Sequence, residues 1–364
     1  MLGEFSGLAD IAARSRDLFP PPGPDLPERL RDALGVLELS AGDVRVERRW
    51  SDAGLVGEEL SWTVGFGPRT RAFLLRPRDA AGPLPGVVAM HCHGGVKWAG
   101  KDKIADGPEP PLAEIVRLRT RLYGRRAYAG ELARRGFAVL AHDVFAWGSR
   151  RFPLTGDQSA PDRHDLGRYD RAARDHEHVL AKACTILGTS FAGVLASEDL
   201  AAAAYLRSRP DIASVSTIGL SGGGARAALL GVLDLGIRAV VVAAMVSSFR
   251  DLRDEHVAAH SWMLFPPGLT RLADWPGVVA ARAPAPLMVL YATADPLFPV
   301  QGMRRAHHQI TEAYRSAPGH YTGAFFDAAH QFDRSMQNAA FTWLTDMVAD
   351  NYPASRPMKG SQVH

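Results

Sequence analysis

The stretch "STIGLSGGGARAALL" (216–230) sets Ser221 among glycines, between a β-branched run and an alanine- and leucine-rich one. Gly219, Ser221 and Gly223 satisfy G-x-S-x-G where a buried-type strand gives way to a helix, the setting of a nucleophile elbow. A strand that turns this sharply forces the serine into a strained backbone conformation, and a Cβ at either flanking position would collide with neighbouring backbone. The turn lifts the hydroxyl above the sheet edge and leaves unpaired N–H groups at the helix start. A dinucleotide fingerprint would need glycine at Ser221 and an acidic residue about 20 positions on; residues 237–249 hold none. A P-loop would need lysine where Ala225 stands.

The surrounding pattern agrees with a strand before that serine and a helix after it. From residue 43, "DVRVERRW", "LSWTVGF" and "RAFLLRP" alternate or are β-rich, and they read as antiparallel strands. Continuous apolar runs follow at 86–91, 136–143, 215–220, 237–246, 285–292 and 322–328, as expected of strands covered on both faces. Helical stretches separate them at 122–135, about 175–208, 223–235, 299–316 and 333–350. This predicts an α/β protein with a mostly parallel central sheet, antiparallel N-terminal strands and helices on both faces. The long irregular connections 144–174 and 247–284 read as lid-like insertions. Residues 1–42 read as a helical appendage with Asp25 capping a short helix to Leu34, 43–352 as the main domain, and 353–364 as a flexible tail.

Apolar residues make up 46% of the 364 and charged residues 22%, the balance of a chain with a sizeable core. A net charge of +3 gives no reason to expect a nucleic-acid partner. The arginines between Arg117 and Arg126 read as a solvated helix face. Cys92 and Cys184 suggest neither a disulfide framework nor a zinc site. No secretory leader and no membrane-length apolar run is visible, so the expectation is a cytoplasmic protein with no membrane contact. The N-terminal helices are the candidate interface of a homo-oligomer.

A nucleophilic serine needs a base, and the base needs a group to orient it. His330 lies just past the last strand in "FFDAAHQF". Asp295, in "VLYATADPLFP", lies past the carboxyl end of the strand before it, on the same edge as Ser221; Asp327 is the runner-up. An oxyanion site is expected from the N–H of Gly222 and from the loop after the strand ending at His91, "HCHGGV". His91 and His93 invite a metal reading, but no third ligand follows at short spacing, so none is expected. "DHEH" (175–178) reads as a helix start with charged faces. Trp98, Phe145, Trp147, Trp262 and Phe298 are candidate walls of an apolar substrate pocket. Arg150 and Arg151 read more readily as partners in structural ion pairs than as carboxylate binders.

Taken together, "HCHGGVKWAGKDKI", "GFAVLAHDVFAWGSRR", "GVLASEDLAAAAYLRSRPDI", "IGLSGGGAR", "APAPLMVLYATADPLFP" and "HQFDRSMQNAAFTWL" resemble serine hydrolases of the α/β-hydrolase superfamily. The likeness is nearest to the dienelactone hydrolase and acetyl xylan esterase-like branch, and it spans about residues 50–350. It implies an α/β-hydrolase fold, Ser221 as nucleophile, Asp295 as acid, His330 as base, and an oxyanion hole from Gly222 with the Gly94–Gly95–Val96 turn. The chemistry implied is two-step cleavage of a small-molecule carboxylic ester, with no cofactor. The same triad would serve amide, peptide or C–C cleavage or acyl transfer, and a non-catalytic binding protein on this fold is the remaining alternative.

Overall fold

The computed structural model describes residues 2–154, 166–253 and 255–349. The tail expected at 353–364 and the middle of the 144–174 connection lie outside them.

In chain order the helices and strands are α1 (Gly7–Ser15), α2 (Leu26–Leu34), β1 (Gly42–Asp52), β2 (Leu55–Thr63), β3 (Thr70–Pro77), β4 (Leu84–Met90), α3 (Ala113–Leu122), α4 (Tyr128–Ala133) and β5 (Ala138–His142). Then follow α5 (Leu166–Ile186), α6 (Phe191–Ser208), β6 (Ile212–Leu220), α7 (Gly222–Leu233), β7 (Ile237–Ala243) and α8 (Phe249–Leu252). The chain continues through α9 (Trp275–Ala280), β8 (Leu287–Ala292), α10 (Val300–Ala313), β9 (Tyr321–Phe326) and α11 (Arg334–Val348).

The strands form one nine-stranded sheet in the order β1-β2-β3-β5-β4-β6-β7-β8-β9. β1, β2, β3 and β5 pair antiparallel, and every pair from β5–β4 to β8–β9 is parallel. This is the mixed sheet expected from the alternating runs. The parallel strands read as continuous apolar stretches because alternate side chains feed two different cores. Val88, Met90, Val240, Val242 and Val289 point into one, shared with α2, α6, α7, α9 and α10. Val87, Ala89, Ile218, Val241 and Leu290 point into the other, shared with α3, α4 and α11.

Helix ends differ from expectation where backbone geometry decides. The stretch 175–208 is two helices bent by 81°. Gly188, at φ +74°, ends the first, and the Ser190 hydroxyl accepts the Gly193 N–H to start the second. The stretch 122–135 is likewise broken, with Gly124 and Arg125 both at positive φ. Within residues 1–42 the two helices differ. Helix α1 buries no side chain, whereas Leu26, Leu30 and Leu34 of α2 join the main core. Asp25 precedes α2 without a side-chain capping bond. Among the described residues no single helix is long and apolar enough to cross a membrane.

Candidate active site

Ser221 stands between β6 and α7 at φ +57°, ψ −120°, a strained conformation for a residue with a Cβ. Its N–H donates to the carbonyl of Ala243 at 2.9 Å, and its carbonyl accepts the N–H of Ala225 at 2.9 Å. The flanking glycines are sterically required. A Cβ on Gly219 would fall 2.2 Å from the Gly223 carbonyl oxygen, and one on Gly223 2.4 Å from that of Met90. Beneath the elbow Arg226, from the second turn of α7, donates to both oxygens of Asp199, at 2.6 and 2.9 Å. Asp199 also bonds His142 at 2.9 Å. All three are buried. Burial opposes ionisation of Asp199, but Arg226 and His142 outweigh it and hold the carboxyl below its usual range.

Asp295 and His330 meet at the same sheet edge. His330 Nδ1 donates to Asp295 Oδ2 at 2.6 Å, and the Leu297 N–H donates to Asp295 Oδ1 at 2.8 Å. A carboxylate only accepts, so in this bond Nδ1 carries the proton. The Asp295 side chain is fully buried and the His330 side chain 16% exposed. Asp327, the alternative acid, is exposed. Phe298 stacks toward the His330 ring with centroids 6.1 Å apart and planes 24° apart, and His260 packs against Phe298 at 4.7 Å. Burial pushes His260 down to about 4, so this neighbour is neutral near pH 7.

The loop after β4 abuts the start of α7. A Cβ on Gly222 would lie 3.1 Å from His93 N and 2.9 Å from Met263 Sδ. The backbone nitrogen facing that side of Gly222 is therefore that of His93, which lies just before the Gly94–Gly95–Val96 turn. Gly95 N–H is engaged with His93 Nδ1 at 3.1 Å and Val96 N–H with the His93 carbonyl at 3.3 Å. Two of the three N–H groups expected from the Gly94–Gly95–Val96 turn are thus spent inside the loop. Gly94 and Gly95, at φ +63° and +68°, bend the chain so that this happens.

Glu177 holds that loop from the side. It lies well inside α5, not at a helix start, and is 5% exposed. Oε2 accepts from His93 Nε2 at 3.0 Å and pairs with Lys97 Nζ at 2.5 Å. Oε1 accepts from the Ser261 hydroxyl at 2.6 Å and the Trp262 N–H at 3.1 Å. Burial opposes its ionisation, but His93 and Lys97 overcome this and keep the carboxyl below its usual range. Arg119 also departs from expectation. It is buried, and it donates to the carbonyls of Asp102, Lys103 and Ala105 and to Asp106. Arg150 pairs with buried Glu198 at 2.5 Å.

The five aromatic candidates separate. Phe298 stands beside His330, and Trp262 is 40% exposed, its indole N–H donating to His178 Nδ1 at 2.8 Å. Trp147 is buried against His91, His93 and Phe191 and lines a small cavity with His93 and Met263, and Phe145 packs among Phe66, Phe152 and Phe191. Trp98 lines a separate cavity of about 290 Å³ with Phe73, Arg48, Lys101 and Arg119. Among the described residues no group of three or more His, Cys, Asp or Glu side chains is placed to hold a metal ion.

Comparison with known proteins finds no matching family model. The chain is 25% identical over 348 residues, 92% of its length and 99% of the relative's, to YtaP of Bacillus subtilis (strain 168), which bears a provisional hydrolase name. It superposes with a TM-score of 0.70 and 17% identity on a protein of Bacteroides fragilis NCTC 9343 provisionally named an acetyl xylan esterase, covering 94% of this chain and 95% of that one. Acetyl xylan esterase 1 of Thermoanaerobacterium sp. JW/SL YS485 gives 0.58 at 15% identity, covering 92% and 98%. The glucuronoyl esterase of Solibacter usitatus gives 0.59 at 13%, covering 89% and 92%. At these identities the likeness is one of fold, and the fold is that of the α/β-hydrolases.

Proposed function

We propose that this α/β-hydrolase is a carboxylic ester hydrolase that works through an acyl-enzyme on Ser221. The observation that carries the reading is the Asp295–His330 hydrogen bond of 2.6 Å, on the sheet edge where the backbone of Ser221 is held at φ +57°. Esterase names among the structural neighbours support it.

His330 Nε2 takes the Ser221 proton as Oγ bonds to the ester carbonyl carbon. The carbonyl π electrons move to oxygen, and the imidazolium is stabilised by ionised Asp295. Gly222 and His93 N–H groups face the oxyanion. Collapse of the intermediate breaks the C–O bond to the alcohol, which leaves with the proton from His330. Water, deprotonated by His330, then attacks the acyl-enzyme, and the acid departs as Ser221 regains its proton. Each step uses only side chains and backbone of this chain.

The test is hydrolysis of a short-chain activated ester, with Ser221→Ala beside the unaltered protein. A loss of at least about 10³-fold in kcat is expected, together with fluorophosphonate labelling of Ser221 in the unaltered protein. Full activity in Ser221→Ala would overturn the reading.

A further inference from the structure

Lys103 is wholly buried, yet its ammonium meets three carbonyls and not a carboxylate. Nζ donates to Cys92 O at 3.0 Å, His93 O at 2.9 Å and Val96 O at 2.6 Å, which uses all three N–H groups on the loop after β4. Its own backbone is anchored, because the Arg119 guanidinium donates to the carbonyls of Asp102, Lys103 and Ala105. Burying an unpaired charge is costly, so a lysine kept here calls for a local reason.

The peptide geometry supplies one. In a trans peptide the C=O and N–H point to opposite sides of one rigid plane. The Cys92 carbonyl belongs to the same peptide group as the His93 N–H, and the His93 carbonyl to the same group as the Gly94 N–H. An ammonium on the carbonyl side fixes both planes. It also draws electron density toward itself, which makes the opposite N–H groups stronger donors. The His93 N–H is the one beside Gly222.

We infer that Lys103 is a positioning residue: it orients and polarises the Cys92–His93 and His93–Gly94 peptide groups toward the negative charge that develops on the substrate oxygen. The inference rests on the esterase reading above. It assigns the alignment of the oxyanion loop to a charge below the loop as well as to the glycines within it.

The test compares Lys103→Met, Lys103→Gln and Lys103→Arg with the unaltered protein. Removing a whole oxyanion donor costs about 10²–10³ in kcat; weakened donors should cost about 10- to 100-fold in Lys103→Met, with KM changed less than about threefold and Lys103→Arg largely active. The decisive readout is inhibitor affinity. A trifluoromethyl ketone, which adds Ser221 and becomes an oxyanion, should bind more weakly in proportion to the lost kcat/KM, while the matching uncharged amide binds as before. Equal weakening of both ligands, or unchanged kcat in folded Lys103→Met, would overturn the inference. So would failure of both neutral variants to fold, which would make Lys103 a folding element only. Ser221→Ala assayed in parallel separates the two levels. If it stays active, the esterase reading itself fails; if it is inactive while Lys103→Met is not, only this inference fails.

Discussion

Glu177 and His93 are joined by a 3.0 Å hydrogen bond between Oε2 and Nε2, and through it a helix remote in sequence grips the loop beside the elbow. The same carboxylate receives Ser261 and Trp262 from the long connection before β8 and compensates Lys97, itself only 3% exposed. Removing one partner of a buried charge pair typically costs about 3–5 kcal/mol, so Glu177→Ala should lower thermal stability by that order and reduce esterase turnover at least about tenfold by freeing His93. The double variant Glu177→Gln with Lys97→Met should recover most of the stability, since no uncompensated charge remains. Calorimetric melting of the unaltered protein, Glu177→Gln, Lys97→Met and the double variant decides this, and additive losses in the double variant would contradict it.

Asp295→Asn tests the orienting bond without emptying the site. An amide at Oδ2 would donate to His330 Nδ1 and force the proton onto Nε2, the nitrogen needed to take the Ser221 proton. The corresponding change in a serine protease triad lowers kcat by about 10⁴, and a loss of that order is expected here with melting nearly unchanged, because the Leu297 N–H keeps an acceptor. A loss under tenfold would remove Asp295 from the mechanism.

Ser221, Asp295 and His330 stood out in the sequence because each follows a strand whose apolar run marks it, and parallel strands bring those ends to one edge. Glu177, Lys103 and Arg119 did not. Each sits in a polar, charged stretch that looks solvated in one dimension, and only the packing of α5 or the 91–106 loop buries it. The His93 N–H was hidden for a different reason. Glycine marks where the chain can bend, and the backbone nitrogen facing the Cβ side of Gly222 belongs to the residue before the bend. What receives Leu26, Leu30 and Leu34 of α2 is not legible locally, because α6 and α7, against which α2 packs, lie far downstream in sequence.

Gly219→Ala should abolish the elbow. The added Cβ meets the backbone oxygen of Gly223 at 2.2 Å, and backbone at both ends of the contact is fixed by β6 and α7. Overpacking costs about 1–3 kcal/mol even against side chains that can move, so loss of soluble protein or of fluorophosphonate labelling is expected. Gly54→Ala, where nothing lies within 4 Å but φ is +81°, is the control for backbone strain alone and should stay labelled.

Activity and stability should diverge at alkaline pH. Burial pushes Lys103 down to about 8, with Cys92, Asp170 and Asp143 favouring its charge and Arg226 opposing it. The ammonium in turn depresses His91 and His93, which burial already holds neutral. The native state gives up this proton near pH 8, whereas the unfolded chain holds it to about 10.4. Between those values the unfolded state binds more protons, so this group raises unfolding free energy with pH, by up to about 3 kcal/mol. Over the same range kcat should fall as the ammonium behind His93 loses its charge. Lys103→Arg should keep kcat flat through pH 9, and an unchanged alkaline limb in that variant would assign the limb to another group.

The two N-terminal helices should respond oppositely to mutation. Helix α1 buries nothing, and Phe5, Leu8 and Ile11 are 78%, 58% and 55% exposed. Deleting residues 2–16 should leave monomer stability within about 0.5 kcal/mol, as for other surface changes. Leu30, by contrast, is 0% exposed in the core beside α7. Leu30→Ala should cost about 2–5 kcal/mol from lost transfer energy and the cavity left behind, measured by urea denaturation. Light scattering on the deletion variant also tests the exposed apolar face of α1 as a contact between copies. If the full chain self-associates through it, the deletion lowers the mass to that of a monomer while esterase activity and the urea midpoint of the folded domain persist. An oligomer that survives the deletion would place the interface elsewhere, and a deletion that lowers the urea midpoint as far as Leu30→Ala would show that α1 packs on the domain after all.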